Sequence, residues 1–174
     1  LGHYPDWVCE PKYDGVAISL IYEKGFFKHA VTRGDGWYGE DVTHTIKTIR
    51  TLPLKFRGTH FPEYVEVRGE VLMSREGFRA YNAQRLKSGN KPFANPRNAA
   101  AGTVRQLDPA VSAKRPLVLF CYTIGACQGL SLPQDQLGVL AQLDRWGCPV
   151  SPQIQPIKMG KHLDSDAMNA QLEA

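Results

Sequence analysis

The sequence lacks any run of about 18 apolar residues, the length that a membrane-spanning helix requires. It also opens without the basic-then-apolar pattern of a secretory leader. We therefore expect no membrane partner. We interpret the start at Leu1, which is not a methionine, as a fragment boundary.

Closely spaced cysteines are also missing. The four cysteines are spread along the chain without a C-x-x-C pair, at Cys9, Cys121, Cys127 and Cys148. Because zinc knots depend on such pairs, the favoured interpretation is four reduced thiols in a cytoplasmic protein.

A phosphate-binding loop of the type G-x-x-x-x-G-K-[ST] is absent as well. Glycine is densest at residues 34–39, where three glycines follow a predicted strand, but the segment lacks the strand-and-helix context of a dinucleotide-binding fold. We interpret it as a tight loop. The net charge of +4 permits an anionic partner such as nucleic acid without requiring one.

Alternation of apolar and polar residues predicts the strands. Val16–Glu23 alternates with a period of two, Lys24-Gly25 forms a turn, and residues 26–33 return as the second strand of a hairpin. Tyr64–Met73 alternates again, with three valines facing one way and Glu66, Arg68 and Glu70 the other. Residues 117–124 are a candidate buried strand.

Helical spacing predicts the remaining elements. Residues 40–52 carry apolar side chains at Val42, Ile46 and Ile49 and end before Pro53. Ser74 is a candidate N-cap of a helix that ends at Gly89.

A loop rich in proline and asparagine, residues 91–97, leads into a short alanine-rich helix at residues 98–106. Residues 137–146 form an amphipathic helix closed by Gly147, and residues 163–174 are a further candidate helix. Because the order shows no regular alternation of strand and helix, it favours the α+β class over a doubly wound sheet.

The segment Glu10-Pro11-Lys12-Tyr13-Asp14-Gly15 places a lysine between two carboxylates. On an extended strand these three side chains would share one face. An ordinary solvated charged surface is the alternative. A lysine nucleophile must lose its proton, which at a usual pKa of about 10.4 requires desolvation or nearby cations; Arg33, Arg68 and Arg97 are candidates.

Two further segments are candidate ligand sites. Glu70 follows Gly69 on a strand, where its carboxylate can accept hydrogen bonds from ribose hydroxyls. The alternative, of comparable weight, is a cross-strand partner for Arg68 or another surface cation. In residues 91–108, Arg97 and Arg105 flank the small-residue helix and can bind phosphates. A packed structural helix with two surface arginines is equally compatible with that pattern.

Taken in order, these segments resemble the adenylation domain of bacterial NAD-dependent DNA ligases over roughly residues 7–150. The match rests on Glu10-x-Lys12-x-Asp14-Gly15, Thr32-Arg33-Gly34-Asp35-Gly36-x-x-Gly39-Glu40-Asp41, Thr48-Ile49-Arg50-x-x-Pro53-Leu54, Glu66-Val67-Arg68-Gly69-Glu70-Val71, Phe93-Ala94-Asn95-Pro96-Arg97-Asn98-Ala99-Ala100-Ala101-Gly102-x-x-Arg105-Gln106-Leu107-Asp108 and Lys114-Arg115-Pro116-Leu117. The long Asn-Pro-Arg-Asn segment is the most specific of these.

The resemblance implies an α+β nucleotidyltransferase (ATP-grasp-like) fold, with mainly antiparallel sheets flanked by helices and incomplete at both ends. Residues 1–174 would then form one partial adenylation domain. The family's nicotinamide-binding region would precede it, and its OB, zinc-finger, helix-hairpin-helix and BRCT regions would follow.

In the family, the motif lysine attacks the adenylyl phosphorus of NAD and releases nicotinamide mononucleotide, and the AMP then passes to the 5′-phosphate of a DNA nick. By resemblance Lys12 is this nucleophile, and Arg97 and Arg105 lie near the nick. The implied nucleotide-binding residues are Glu10 on the adenine side, Glu70 at the ribose, and Asp14, Gly15 and Arg33.

The implied partners are NAD, Mg²⁺ and nicked double-stranded DNA, with zinc only in a downstream domain and no metal-ligating residue in this chain. The parent enzyme would be a cytoplasmic monomer. Two further AMP-contacting lysines of the family would follow Ala174, so we expect this chain alone to ligate nothing and to adenylate itself poorly.

Two rival functions stay open on the sequence. One is an ATP-using ligase or capping enzyme, which shares the K-x-D-G motif. The other is a non-catalytic nucleic-acid-binding remnant, which the presence of Lys12 and Glu70 argues against.

Overall fold

A four-stranded antiparallel sheet carries most of the secondary structure. The structure is a computed structural model and describes residues 7–34 and 39–157. The chain divides into two compact units, one of residues 12–151 and one of residues 1–11 with 152–174. The predicted helix at residues 163–174 lies outside the described residues.

The sheet has the order β3-β2-β4-β5 and belongs to the larger unit. Its strands are β2 (Val16–Glu23), β3 (Phe26–Thr32), β4 (Tyr64–Met73) and β5 (Leu117–Gln128). The predicted strands are confirmed, although β5 extends four residues beyond its expected end. In the smaller unit, β1 (Trp7–Cys9) pairs antiparallel with β6 (Gln155–Ile157).

The β2–β3 hairpin turns at Lys24 and Gly25, whose φ angles are 49° and 80°. Two consecutive positive φ angles are typical of the tight turns whose twist matches that of paired strands. A Cβ at Gly25 would lie 2.7 Å from the Phe61 ring. Glycine is therefore required here both by the backbone and by the packing.

The two faces of the sheet differ in polarity, as the alternation predicted. The core face buries the apolar side chains of β2 and β4, among them Ile18, Leu20, Tyr22, Val65, Val67 and Val71. The opposite face carries the polar side chains, because successive residues of a strand point to opposite sides. Strand pairing sets Ala17 opposite Glu70, Ser19 opposite Arg68 and Ile21 opposite Glu66.

The prediction of one helix over residues 40–52 is wrong. Only α1 (Thr43–Ile46) is helical, and turns follow it. Threonine and isoleucine dominate this segment, and β-branched residues favour helix weakly. Val42 also provides no side-chain cap. The apolar positions are nevertheless buried as expected, including Ile46 and Ile49.

The helix α2 (Arg75–Lys87) begins as predicted, because the Ser74 side chain accepts a hydrogen bond from the amide of Gly77. It has no fully buried residue and lies on the outside of the unit. The side-chain amide of Asn82 binds the following loop twice. Its Nδ2 donates to the backbone carbonyl of Phe93, and its Oδ1 accepts from the backbone N–H of Phe93. These bonds fix the loop that leads to the next helix.

The alanine-rich helix α3 (Pro96–Val104) starts two residues earlier than predicted. Asn95 caps it by accepting from the Asn98 amide, and Pro96 occupies the first turn, where its missing N–H costs nothing. A short helix α4 (Pro109–Ser112), which the sequence analysis did not predict, follows. The predicted helix near the end is α5 (Gln136–Trp146), and Gly147 closes it with a φ of 84°.

The core is closed by a stack of aromatic rings. Trp146 stacks on Phe56 at 4.6 Å between ring centroids, and Phe56 stacks on Tyr22 at 4.1 Å. This stack joins α5 to the core face of the sheet. It holds three of the four buried aromatic side chains of the described residues, the fourth being Phe27.

We predict that Trp146→Ala lowers the free energy of unfolding of this chain by about 3–5 kcal/mol, since it removes a fully buried ring from the stack. Urea denaturation followed by circular dichroism measures the change. Leu137→Ala is the matched control on the same helix, because Leu137 is 40% exposed, and we expect it to cost less than about 1 kcal/mol. Equal losses in the two variants would contradict this account of the core.

Candidate functional site

A cavity of about 600 Å³ lies at the start of β2, between the polar face of the sheet and α3. Its wall includes five of the residues that the sequence analysis selected: Gly15, Arg33, Glu70, Arg97 and Arg105. A second cavity of about 560 Å³ shares Arg33 and extends over Ser19, Glu66, Arg68 and Tyr122. The fold thus gathers residues that are far apart in the sequence, such as Ser19 and Tyr122, which are separated by 103 positions.

Gly15 packs directly against β4. Its amide donates a hydrogen bond of 3.0 Å to a carboxylate oxygen of Glu70. A Cβ at this position would collide with the carbonyl oxygen of Val71. The glycine of the motif is therefore needed for close approach of two backbones, and the approach brings Glu70 to the end of the lysine segment.

Glu70 is held in a half-buried position at the cavity. Burial raises the pKa of its carboxyl above the ordinary value, while the hydrogen bond from Gly15 and the charges of Arg97 and Lys12 act against that rise. A carboxylate kept partly out of water has a strong demand for hydrogen-bond donors. It is suited to accept hydrogen bonds from a bound ligand.

Lys12 and Asp14 do not lie on a strand, contrary to the sequence expectation. Residues 10–14 have no regular secondary structure, and both side chains are exposed. Between them, Tyr13 stacks on Phe120 with ring centroids 4.9 Å apart and forms a 2.7 Å hydrogen bond to Ser151. Tyr13 therefore anchors the segment, a role that the sequence analysis missed.

Arg97 and Arg105 each pair with a carboxylate at the same cavity. Arg97 Nη1 donates to Asp14 Oδ1 at 2.8 Å, and Arg105 Nε donates to Glu40 Oε2 at 3.0 Å. All four side chains are at least 60% exposed. Such pairs contribute little to stability, so both arginines are accessible to an incoming anion.

Arg68, one of the three cations proposed to assist Lys12, is bound to a carboxylate outside the lysine segment. Arg68 donates to Glu66 at 2.9 Å and 3.3 Å, and the Ser19 hydroxyl donates to the same carboxylate. The Arg68 hydrogen bond is the main reason that the pKa of Glu66 is lowered. Glu66, not Glu70, is thus the partner of Arg68, so the part of the alternative that paired Glu70 with Arg68 is wrong. The part that paired Glu70 with another surface cation stays open, since the charges of Arg97 and Lys12 act on it.

Tyr122 is a further site residue that sequence reasoning missed. Burial raises the pKa of its phenol, the Glu70 carboxylate adds to the rise, and Arg33 and Arg68 oppose it. Tyr122 therefore lies among the charged groups of the second cavity. From the sequence, a tyrosine on a candidate buried strand is expected in the core. The structure shows that Tyr122 instead lines this cavity, because β5 lies beside β4.

Glu10 belongs to the smaller unit, and its expected contact with adenine stays a prediction. The segment of residues 35–38 lies outside the described residues, so only the ends of the glycine-rich loop are seen. A Cβ at Gly39 would collide with the carbonyl oxygen of Thr32. This close approach agrees with the interpretation of a tight loop.

Within residues 7–34 and 39–157, no three side chains of His, Cys, Asp or Glu converge as a metal site would require. All four cysteines are free. No described helix is long and apolar enough to cross a membrane.

Comparison with known proteins agrees with this geometry. A family model described as the NAD-dependent DNA ligase adenylation domain matches residues 3–171. DNA ligases of the Coxiella burnetii strains Dugway 5J108-111, RSA 331 / Henzerling II and CbuG_Q212 are each 52% identical to this chain over 152 residues. The match covers 87% of this chain, which spans 22–23% of the length of these ligases.

Lys12 itself does not line this cavity, but Gly15, Glu70, Arg97 and Arg105 do. Together with a family match over nearly the whole chain, this leads to one conclusion. The chain belongs to the family of NAD-dependent DNA ligase adenylation domains.

Proposed function

We propose that this chain is the nucleotide-binding part of a DNA ligase in which Lys12 attacks the adenylyl phosphorus of NAD. The new bond joins the Lys12 Nζ to phosphorus, and the bond to nicotinamide mononucleotide breaks. The AMP then passes to the 5′-phosphate of a nick, and the 3′-hydroxyl displaces it. The observation that carries this proposal is the single cavity, beside the lysine segment, that Gly15, Arg33 and Glu70 share with the two arginines.

Each side chain at the cavity has a chemical role in this proposal. Glu70 accepts hydrogen bonds from the ribose hydroxyls, because Gly15 holds one of its carboxylate oxygens and the other has no hydrogen-bond partner among residues 7–34 and 39–157. Arg33 lies on the wall that both cavities share and contacts the nucleotide phosphates. Glu10 contacts adenine, on the strength of the family resemblance.

The amine of Lys12 needs a positive environment to lose its proton. Two of the three candidate arginines are paired with carboxylates in the described part of the chain, Arg68 with Glu66 and Arg97 with Asp14. This leaves Arg33 as the principal cation. The chain by itself is therefore poorly equipped to activate Lys12, in line with the expectation of weak self-adenylation.

Mg²⁺ belongs to the proposal only as an ion that accompanies phosphates. Such ions are usually held by substrate phosphates and water with one or two carboxylates. The described residues offer Asp14 and Glu70 near Lys12 but no dedicated cage. No step proposed here depends on a bound metal.

The family also supports the wider assignment. We infer a nucleotidyltransferase (ATP-grasp-like) fold that is incomplete at both ends, and a cytoplasmic, monomeric parent enzyme that seals nicked double-stranded DNA in replication and repair. Arg97 and Arg105 would then bind the DNA near the nick.

The first prediction concerns the nucleophile. Full-length parent protein incubated with NAD should gain the mass of one AMP in a form that is stable to alkali and labile to acid, and Lys12→Ala should abolish the gain because no other amine replaces the lysine. Intact-mass spectrometry measures it. Lys24→Ala, at the hairpin turn, is the control and should keep the gain. A gain from ATP alone would assign the protein to the ATP-using enzymes instead.

The second prediction concerns the half-buried carboxylate. Since the folded state raises the pKa of Glu70, the native chain holds that proton more tightly than the unfolded chain does. The group therefore costs stability as the pH rises through its titration range. Glu70→Gln keeps an acceptor for the Gly15 amide and removes this cost, so its stability relative to the parent sequence should increase from about pH 4 to about pH 7.

Chemical denaturation at several pH values measures that change. The same substitution in the full-length protein should reduce self-adenylation, because the ribose loses a charged acceptor. A variant that loses stability and keeps full adenylation would contradict both roles of Glu70.

The third prediction separates the two chemical steps. Arg97→Ala should slow sealing of a pre-adenylated nick by about ten- to a hundredfold while it spares self-adenylation, because the arginine binds DNA and not NAD. Single-turnover sealing and self-adenylation are measured on the same protein. An equal loss in both steps would show that Arg97 serves the nucleotide through Asp14 instead.

A further inference from the structure

Two sequence motifs with no role in the proposed chemistry line one cavity. Thr48, Ile49, Arg50 and Thr51 form one wall, and residues 113–118 form the other. The cavity has a volume of about 290 Å³ and is open to solvent on one side. It lies between the turns that follow α1 and the segment that joins α4 to β5.

The wall of this cavity is positively charged. It contains Arg50, Lys114 and Arg115 and no acidic residue. Within the described residues, the side chains of Arg50 and Lys114 form no salt bridge or hydrogen bond, and both residues are exposed. Two unpaired cations at a concave surface attract an anion.

Arg115 differs from the other two because it is fixed in place. Its Nη1 donates to Thr103 Oγ1 at 3.1 Å and to the Gly102 carbonyl at 3.4 Å. Its guanidinium lies over the Tyr81 ring, 5.2 Å from the centroid. Arg115 thus connects the cavity rigidly to α3, while Arg50 and Lys114 are left to bind.

The cavity of about 600 Å³ at the start of β2, here named the nucleotide cavity, has α3 in its wall. Arg115 joins the wall of the smaller cavity to the same helix. At 100° per residue, the residues of α3 that face the nucleotide cavity and those that Arg115 contacts lie on nearly opposite sides of the helix. The nucleotide cavity is lined by Ala101, Val104 and the C-cap residue Arg105. Arg115 contacts Gly102 and Thr103. A helix with its side chains is about 10–12 Å across.

We propose that this cavity binds a backbone phosphate of duplex DNA, through Arg50 and Lys114, at a distance from the nick. The proposal rests on the proposed function, since it assumes that DNA lies against α3. With a rise of about 3.4 Å per nucleotide in each strand, the width of α3 corresponds to about three or four nucleotides. An open, shallow cavity suits a phosphate that stays attached to a polymer.

The test uses the full-length parent protein and a fluorescent nicked duplex. Arg50→Gln with Lys114→Gln should weaken binding to nicked and intact duplex alike, and it should make the dependence of log K on log salt shallower by about 0.9, the change expected for one lost phosphate contact. Lys24→Gln with Lys28→Gln removes the same charge from the β2–β3 hairpin and should leave the slope as it is. The thermal midpoint confirms that each variant is folded.

A second experiment determines which phosphate of the duplex binds in the cavity. Single phosphates of the duplex are replaced by neutral methylphosphonates, one position at a time. Replacement about three or four nucleotides from the nick should weaken binding by the parent protein and have no further effect on the Arg50 and Lys114 double variant. If no position shows this dependence on the double variant, the proposal is wrong.

The remaining outcomes are also decisive. Unchanged salt dependence in the double variant overturns the proposal while the proposed function stands, provided that the parent protein adenylates itself. Binding of inorganic phosphate by the parent chain that is lost in the double variant, with DNA binding unaltered, assigns the cavity to a small anion. Failure of self-adenylation in the parent protein counts against the proposed function and leaves the DNA measurement readable.

Discussion

The close approach of Gly15 to β4 is the constraint on which the site depends. A side chain there would strike the Val71 carbonyl, and the Gly15 amide donates to Glu70. Because Gly15 directly precedes β2, the same contact that begins the β2–β4 pairing also fixes the end of the segment that carries Lys12. One backbone position thus lies at the start of the β2–β4 pairing and holds the end of the lysine segment beside the half-buried carboxylate.

Much of the fold could be predicted from local pattern because the sheet buries one face only. The alternation in Val16–Glu23 and Tyr64–Met73 predicts which side chains point into the core, and those side chains are buried in the structure. Residues 40–52 show the limit of this reasoning. Apolar residues at helical spacing are buried there, but a chain of turns buries them as well as a helix does, and the β-branched residues favour the turns.

The site was predicted less completely, for a physical reason. A motif can identify a residue such as Gly15, whose role depends on the backbone conformation of its own segment. The partner in an ion pair, in contrast, depends on the tertiary structure. Asp14 and Arg97 are separated by 83 positions, and Glu40 and Arg105 by 65. The alternation of β4 places Glu66 and Glu70 on the same face as Arg68, so the sequence allows either as its partner. In the structure the partner is Glu66, which also accepts hydrogen bonds from Ser19 on β2 and Ala126 on β5.

The carboxylates of the site divide into two groups by exposure, and this division argues for how the site works. The Glu66 side chain is 17% exposed and accepts hydrogen bonds from both Ser19 and Arg68, so it is a fixed part of the sheet surface. The exposed pairs of α3, in contrast, contribute little to stability and are screened by salt. Phosphates can therefore replace Asp14 and Glu40 as the partners of Arg97 and Arg105 at small cost. The Glu66 pair, in contrast, stays intact and keeps the wall of the second cavity rigid.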